Sequence, residues 1–252
     1  MNDTPAFQIA VYSDRIAHQY MGKTHVLPTG GYFAGGRFGS QVLAVQSAVV
    51  SGAEAAANMI ELQHPEPQVR AYYNKNHVPG VSAAARTLHR ALLDADKANR
   101  EILQNAIKPK MPISDGRLAV TISLLSAKKP NDIIQLMMRD RNIAAVAFEH
   151  YELLNLPEAA KPQLMRTVAE MNITRNFEGT TAAQPTLQDM LGEDAAIKET
   201  AHKLAVAELK KLDDQKGEID TTASWLKHVI DHTGALAGIG SEAVWQSMQR
   251  VA

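Results

Sequence analysis

Cysteine is absent from the 252-residue chain, which excludes disulfide staples, thiolate nucleophiles and cysteine-ligated zinc or iron–sulfur centres. Any metal site would have to use His, Asp and Glu. Aromatic residues are scarce, at 5% of the total, while alanine is abundant, a balance that favours close-packed helices over a β-sandwich. An excess of charge is also lacking. The 26 Lys and Arg against 27 Asp and Glu leave a net charge of −1, so no overall field draws the chain to nucleic acid or to an anionic membrane surface. The longest apolar stretches, such as Val42 to Val50, are broken by Gln46 and Ser47 and fall well short of the roughly 20 residues that span a bilayer. The start, MNDTPAFQIAVYSDR, has no basic segment followed by an apolar run, so no secretory signal is read there. These absences predict a cytoplasmic, α-rich protein without membrane insertion and without a nucleic-acid partner.

Proline and glycine clusters divide what remains. Residues 1–63 form the first part, in which Gly30 to Gly36 reads as a short buried strand between turns and Ser40 onward as an alanine-rich helix. Gly52 inside that helix costs up to about 1 kcal/mol relative to Ala, so a close packing contact is expected there. Residues 64–171 form a helical domain. Its longest helix is expected from Val81 to Ile107, burying Val81, Leu88, Leu92, Ala95, Ile102 and Ala106. A short helix through Leu125 follows, with Ser114 as its N-cap, and Pro130 then opens one that carries Ile133, Met137, Ala144, Ala147, Tyr151 and Leu154 inward. A last helix is expected from Glu158 to Met171, interrupted by Pro162 near its start. Residues 172–186 are polar, contain glycine and proline, and read as an exposed linker. Residues 187–252 read as a C-terminal helical bundle: Leu187 to Gln215, stopped by Gly217, then Thr221 to His232 and Ser241 to Val251, anchored by Trp225 and Trp245. The expected fold is mainly α, with a small strand-containing N-terminal element followed by helical bundles.

One segment carries a resemblance. YFAGGRFGSQVLAVQSAVVSGAEAAANMI, within residues 29–63, is similar to the C-terminal FAD-binding segment of amine-oxidase-type flavoproteins. In that family a strand ending in Ala-Gly is followed by a helix reading Ala-Val-x-Ser-Gly-x-x-Ala-Ala, and Ala34-Gly35 and Ala48-Val49-Val50-Ser51-Gly52 through Ala55-Ala56 fall at that spacing. A helix N-terminus presents unpaired N–H groups and a partial positive charge to an electron-rich flavin edge. The resemblance implies that Ala44, Val45, Gln46, Ser47 and Ala48 face the isoalloxazine and that Gly35 and Gly36 lie beside the ribityl chain. Two features depart from the pattern: Gly36 and Arg37 stand where the family places an acidic residue, and no Gly-x-Gly-x-x-Gly turn precedes the segment. The chain is therefore not a complete enzyme by this reading. It is expected to be a C-terminal subunit, fragment or degenerate relative of an FAD-dependent oxidoreductase, binding FAD only with a protein partner that supplies the missing turn. The alternative is a non-catalytic helical adaptor or structural component of a larger assembly.

Other constellations read more simply. Gly22-Lys23-Thr24 resembles the end of a phosphate-binding loop, but Ala17 stands where the loop needs glycine. His228 and His232 share a helix face at zinc-ligand spacing with Asp231 beside them, although two such histidines more often line a bundle. Glu149-His150-Tyr151-Glu152 reads as a solvated helix turn, and Gly238-Ile239-Gly240-Ser241 as the loop before a helix. Arg86, Arg90, Lys97 and Arg100 are expected on one solvent-exposed face, interrupted by Asp94 and Asp96. No catalytic residue and no metal ligand is assigned.

Overall fold

A computed structural model describes residues 7–20, 23–29, 35–109, 112–180 and 194–249. Within these, three short strands precede nine α-helices, so the fold is mainly α with a small N-terminal strand element. Strands β1 (Gln8–Val11), β2 (Arg15–Tyr20) and β3 (Lys23–Pro28) form an antiparallel sheet in that order. Because side chains alternate across a strand, the register places Ile9, His18 and His25 in one rung and Val11, Ile16 and Leu27 in the next on the same face. Ile16 and Leu27 are buried, which fixes that face as the inner one. Tyr12 N–H donates to the Arg15 carbonyl at 2.8 Å and closes the first turn.

Helix α1 (Gly39–Glu61) buries Val42, Val45, Val49, Ala53 and Ala56 at helical spacing. After it come α2 (Glu66–Asn76), α3 (Val78–Ile107), α4 (Asp115–Ser126), α5 (Pro130–Arg139), α6 (Arg141–Glu149), α7 (Lys161–Glu178), α8 (Asp194–Ala237) and α9 (Ser241–Gln249). The chain divides into two compact units. Unit 1 comprises Met1–Asp96 with Gly217–Ala252, and unit 2 comprises Lys97–Lys216; α3 and α8 each pass from one into the other. Unit 1 packs the sheet, α1 and the first part of α3 with Ile219, Trp225, Leu226 and Val229 of α8 and Val244 and Met248 of α9. Unit 2 packs Ala106 and Ile107 with Leu125, Ile133, Met137, Ala144, Val146, Tyr151, Leu154, Leu164 and Val168.

Both units close helix C-termini with a side chain from elsewhere in the same unit. The last carbonyls of a helix have no intrahelical partner and carry partial negative charge, so a guanidinium satisfies both needs. In unit 1, Arg70 donates to the Ala235 and Leu236 carbonyls at 2.6 and 3.2 Å, and Arg86 to those of Met248 and Ser247. In unit 2, Arg141 donates to the Lys108 and Asn105 carbonyls, Arg175 to those of Met138 and Arg139, and the buried Asn172 amide to Ala106 at 3.0 Å.

Several expectations need correction. The strands at residues 8–28 were not anticipated, and the part of the expected strand at 30–34 lies outside the described residues, with Gly35 and Gly36 in a turn. The helix opened by Pro130 is two helices. Asp140 takes an extended backbone and its carboxylate accepts from the Asn142 and Ile143 amides, capping α6, while Ile133, Met137, Ala144, Ala147, Tyr151 and Leu154 are all buried as expected. Ile102 is exposed rather than buried. Pro162 opens α7 instead of interrupting a helix, and α7 continues through residues 172–178 of the expected linker, because Asn172 and Arg175 spend their polar groups on the ends of α3 and α5. Residues 181–186 of that linker lie outside the described residues. Gly217 does not stop a helix, since α8 runs through it, and Trp225 and Trp245 join the core of unit 1 rather than a separate C-terminal bundle.

Candidate functional site

The segment that resembles a flavin-binding piece forms the turn before α1 and its first turns. Gly35 and Gly36 are exposed, and a Cβ added at Gly35 would meet nothing within 4 Å. Along α1 the residues 44–48 do not share one face, because successive positions turn by about 100°. Ala44 and Ser47 are exposed and Ala48 is half-buried, whereas Val45 and Gln46 are buried, Val45 within the core of unit 1. The Arg37 N–H just before α1 donates to the Glu218 carboxylate of α8 at 2.6 Å, so the positive end of the helix already has an anion of this chain beside it. Gly52 makes the expected close contact: a Cβ there would lie 2.8 Å from Tyr73 Cε2 and 3.0 Å from His77 Cβ.

A group of titratable side chains in unit 1 lies between the sheet and α8. His18 and His25 are direct cross-strand partners on the inner face, and their rings stack with centroids 4.7 Å apart and planes 7° from parallel. His232 of α8 meets His18 edge-on at 4.5 Å. His18 is 1% exposed and His232 3%, and neither ring nitrogen of either histidine has a hydrogen-bonding partner among the described residues. Burial of an imidazolium in such surroundings is costly, so both pKa values fall. Burial, then His232, His25 and Arg70, lowers His18 to about 3, and burial, then His25, lowers His232 to about 4. Both are neutral at neutral pH. Nearby, burial pushes the Tyr73 hydroxyl up to about 12, partly opposed by Thr233, and burial also lowers His77.

This cluster was only half visible in the sequence. His232 was marked through its spacing from His228, but His228 and Asp231 are exposed and do not join it; the partners are His18 and His25, some two hundred residues away in the chain. The signal was the alternation that puts Ile16 and His18 against His25 and Leu27, a strand pattern with histidine on the apolar side. Among the described residues no group of three or more His, Asp or Glu is arranged to hold a metal ion. The stacking explains why for these three: a ligating lone pair lies in its ring plane, and two parallel, displaced planes share no point where one ion would sit.

The remaining candidates resolve into structural roles. Lys23 and Thr24 open strand β3 instead of leading into a helix, so no phosphate-binding loop forms. Tyr151 is a core residue rather than part of a solvated turn, and its hydroxyl donates to the Pro157 carbonyl at 2.8 Å. Gly238 and Gly240, with φ of 71° and 75°, make the loop between α8 and α9. Arg86 leaves the expected exposed basic face to cap α9. In unit 2, α4 behaves unlike its neighbours: of its apolar residues only Leu125 is buried, while Ala119, Val120 and Leu124 are exposed, Val120 by 68% and Leu124 by 50%. The turn Glu152–Leu154 packs against α4 and exposes Leu153 by 68%. No helix among the described residues is long and apolar enough to cross a membrane. Comparison with protein-family models, with curated proteins and with solved structures gives no match to this chain.

Proposed function

We propose that the chain is a non-catalytic helical component of a larger assembly and that it docks a protein partner through α4. The observation that carries this reading is the exposure of Val120, Leu124 and Leu153 in the same part of unit 2. Apolar groups left in water forgo the roughly 25 cal/mol per Å² that burial would return, and Val120 and Leu124, one helical turn apart on α4, offer such groups side by side to a partner. The test compares the wild-type chain with a Val120→Glu/Leu124→Glu variant, whose substitutions sit on exposed positions. The wild type is expected to retain a protein from the native source that the variant releases, and the pair is expected to re-form from purified components. Equal retention by both forms, or failure of the purified pair to associate, overturns the reading.

A second reading rests on the exposure of Gly35, Gly36, Ala44 and Ser47 at the start of α1, beside the half-exposed Leu43. On this reading the strip is the flavin-facing edge of a site completed by a partner chain, the role implied by the resemblance to amine-oxidase-type flavoproteins. The chain alone would bind FAD weakly or not at all, because it lacks the turn that grips the pyrophosphate. A yellow complex with a partner that carries that turn, bleached by Gly35→Trp, supports it. A partner without such a turn, and no flavin released on denaturation, removes it.

A further inference from the structure

Three imidazoles packed ring against ring are an unusual way to join a sheet to a helix. His18 and His232 are more than nine-tenths buried, they approach to 4.5 Å between centroids, and their four ring nitrogens have no hydrogen-bonding partner among the described residues. Unpartnered buried polar atoms cost free energy that an aliphatic pair would not, so the arrangement calls for an explanation beyond packing. The groups facing His18 are His25 from β3, His232 from α8 and Arg70 from α2, which is itself paired with Glu66 at 2.7 Å. From β1 the opposite residue is Ile9, and α1 brings Val42, Val45 and Val49 to the same core. None of these facing groups is a carboxylate that would welcome a second positive charge.

We propose that His18, His25 and His232 form an acid-operated latch, which holds the sheet against α8 while the imidazoles are neutral and releases it when His18 or His232 takes up a proton. Released imidazoles gain water and escape Arg70 and one another. Both buried histidines titrate below the ordinary value of 6.5, so the folded arrangement binds fewer protons than the open one between that value and about 4. The latched state therefore loses stability as pH falls through that window and is fully stable above it. The helical core can outlast the sheet, because α1, α3, α8 and α9 bury their own aliphatic residues together.

Trp225 reports the event, since its indole N–H donates to the Pro28 carbonyl at the end of β3 at 3.0 Å. The other tryptophan, Trp245, lies against the ring of His89, so the full chain is studied as a Trp245→Phe variant. Emission and far-ultraviolet circular dichroism are followed from about pH 7.5 to about pH 4. The expected result is a red shift of Trp225 below about pH 6 with the helical signal retained, and a midpoint at least about one pH unit lower in a His18→Leu/His232→Leu variant. No red shift, simultaneous loss of the helical signal, or an unchanged midpoint in the double variant overturns the latch. Imidazole NMR signals of the parent chain give a measurement independent of that variant's folding. Two rings that stay neutral until the Trp225 shift support the latch, and two rings that titrate smoothly without it exclude it.

Discussion

The interior of unit 1 encloses His18, His232, Thr222 and Thr233 among its aliphatic residues, whereas among the described residues the buried polar groups of unit 2 are Asn99, Asn172 and the Tyr151 hydroxyl. The units share side-chain caps on their helix ends but differ in how closely backbones approach. In unit 1 backbones touch where glycine permits it: a Cβ at Gly234 would fall 2.6 Å from the Gly240 carbonyl carbon. In unit 2 the helix ends are held at side-chain length by Arg141, Arg175 and Asn172. The contrast teaches that acid and added bulk should strike unit 1 harder, whereas loss of a capping guanidinium should cost stability in either unit.

Acid is expected to break the symmetry most. His18, His77 and His232, the histidines whose pKa values are lowered, all belong to unit 1. His18 and His232 are held neutral in the fold while the unfolded chain protonates them, and burial shifts His77 in the same direction, so unit 1 loses stability on going from pH 7 toward pH 4, by on the order of several kcal/mol for the buried pair together. Amide exchange, corrected for intrinsic rates, should show protection in β2, β3 and the second half of α8 falling ahead of that in α5 to α7. Equal loss in both units would erase the distinction.

Bulk comes next. Gly234→Ala forces two backbones apart and should cost about 1–3 kcal/mol in a denaturant titration, and Gly52→Ala somewhat less, because Tyr73 and His77 can yield as side chains. A neutral outcome at Gly234 would show that the α8–α9 loop adapts freely. In unit 2, Arg175→Ala leaves the Met138 and Arg139 carbonyls without their donor and should cost about 1–2 kcal/mol, with exchange quickening first at the end of α5. No change there would mean that water replaces the guanidinium.

How much of this was legible depended on whether the signal was local. The stripe Val81, Leu88, Leu92 and Ala95 announces α3, and the inward set from Ile133 to Leu154 is right even where the helix is broken, because periodicity records burial and not continuity. Asp140 shows the limit: a cap acts through three residues, and a short polar residue in a long apolar pattern is easily passed over. Residues 172–178 misled for the opposite reason. Their polar side chains look like linker chemistry until the carbonyls they serve, at Ala106, Met138 and Arg139, are brought to them by the fold. The histidine cluster required a contact across some two hundred residues, which no spacing rule records. Of the residues assigned to a flavin, helical geometry alone separates Ala44 and Ser47 from Val45 and Gln46.

Gly217 offers the smallest effect and a direct test of the long helix. Glycine frees the backbone and disfavours a helix interior, yet α8 continues for twenty residues beyond Gly217 to Ala237, and a Cβ at Gly217 would meet nothing within 4 Å. Burial of Ile219, Trp225, Leu226 and Val229 on the far side outweighs the roughly 1 kcal/mol that a mid-helix glycine costs. Gly217→Ala should therefore stabilise the chain by about 0.5–1 kcal/mol, chiefly by restricting the unfolded state, and raise the thermal midpoint by about 1–4 °C. Its contrast with Gly234→Ala is the informative part, since both glycines lie in one helix and only the second has a backbone against it. A lower midpoint for Gly217→Ala would mean that the backbone there needs freedom that alanine lacks, and that α8 acts as two helices meeting where the two units divide.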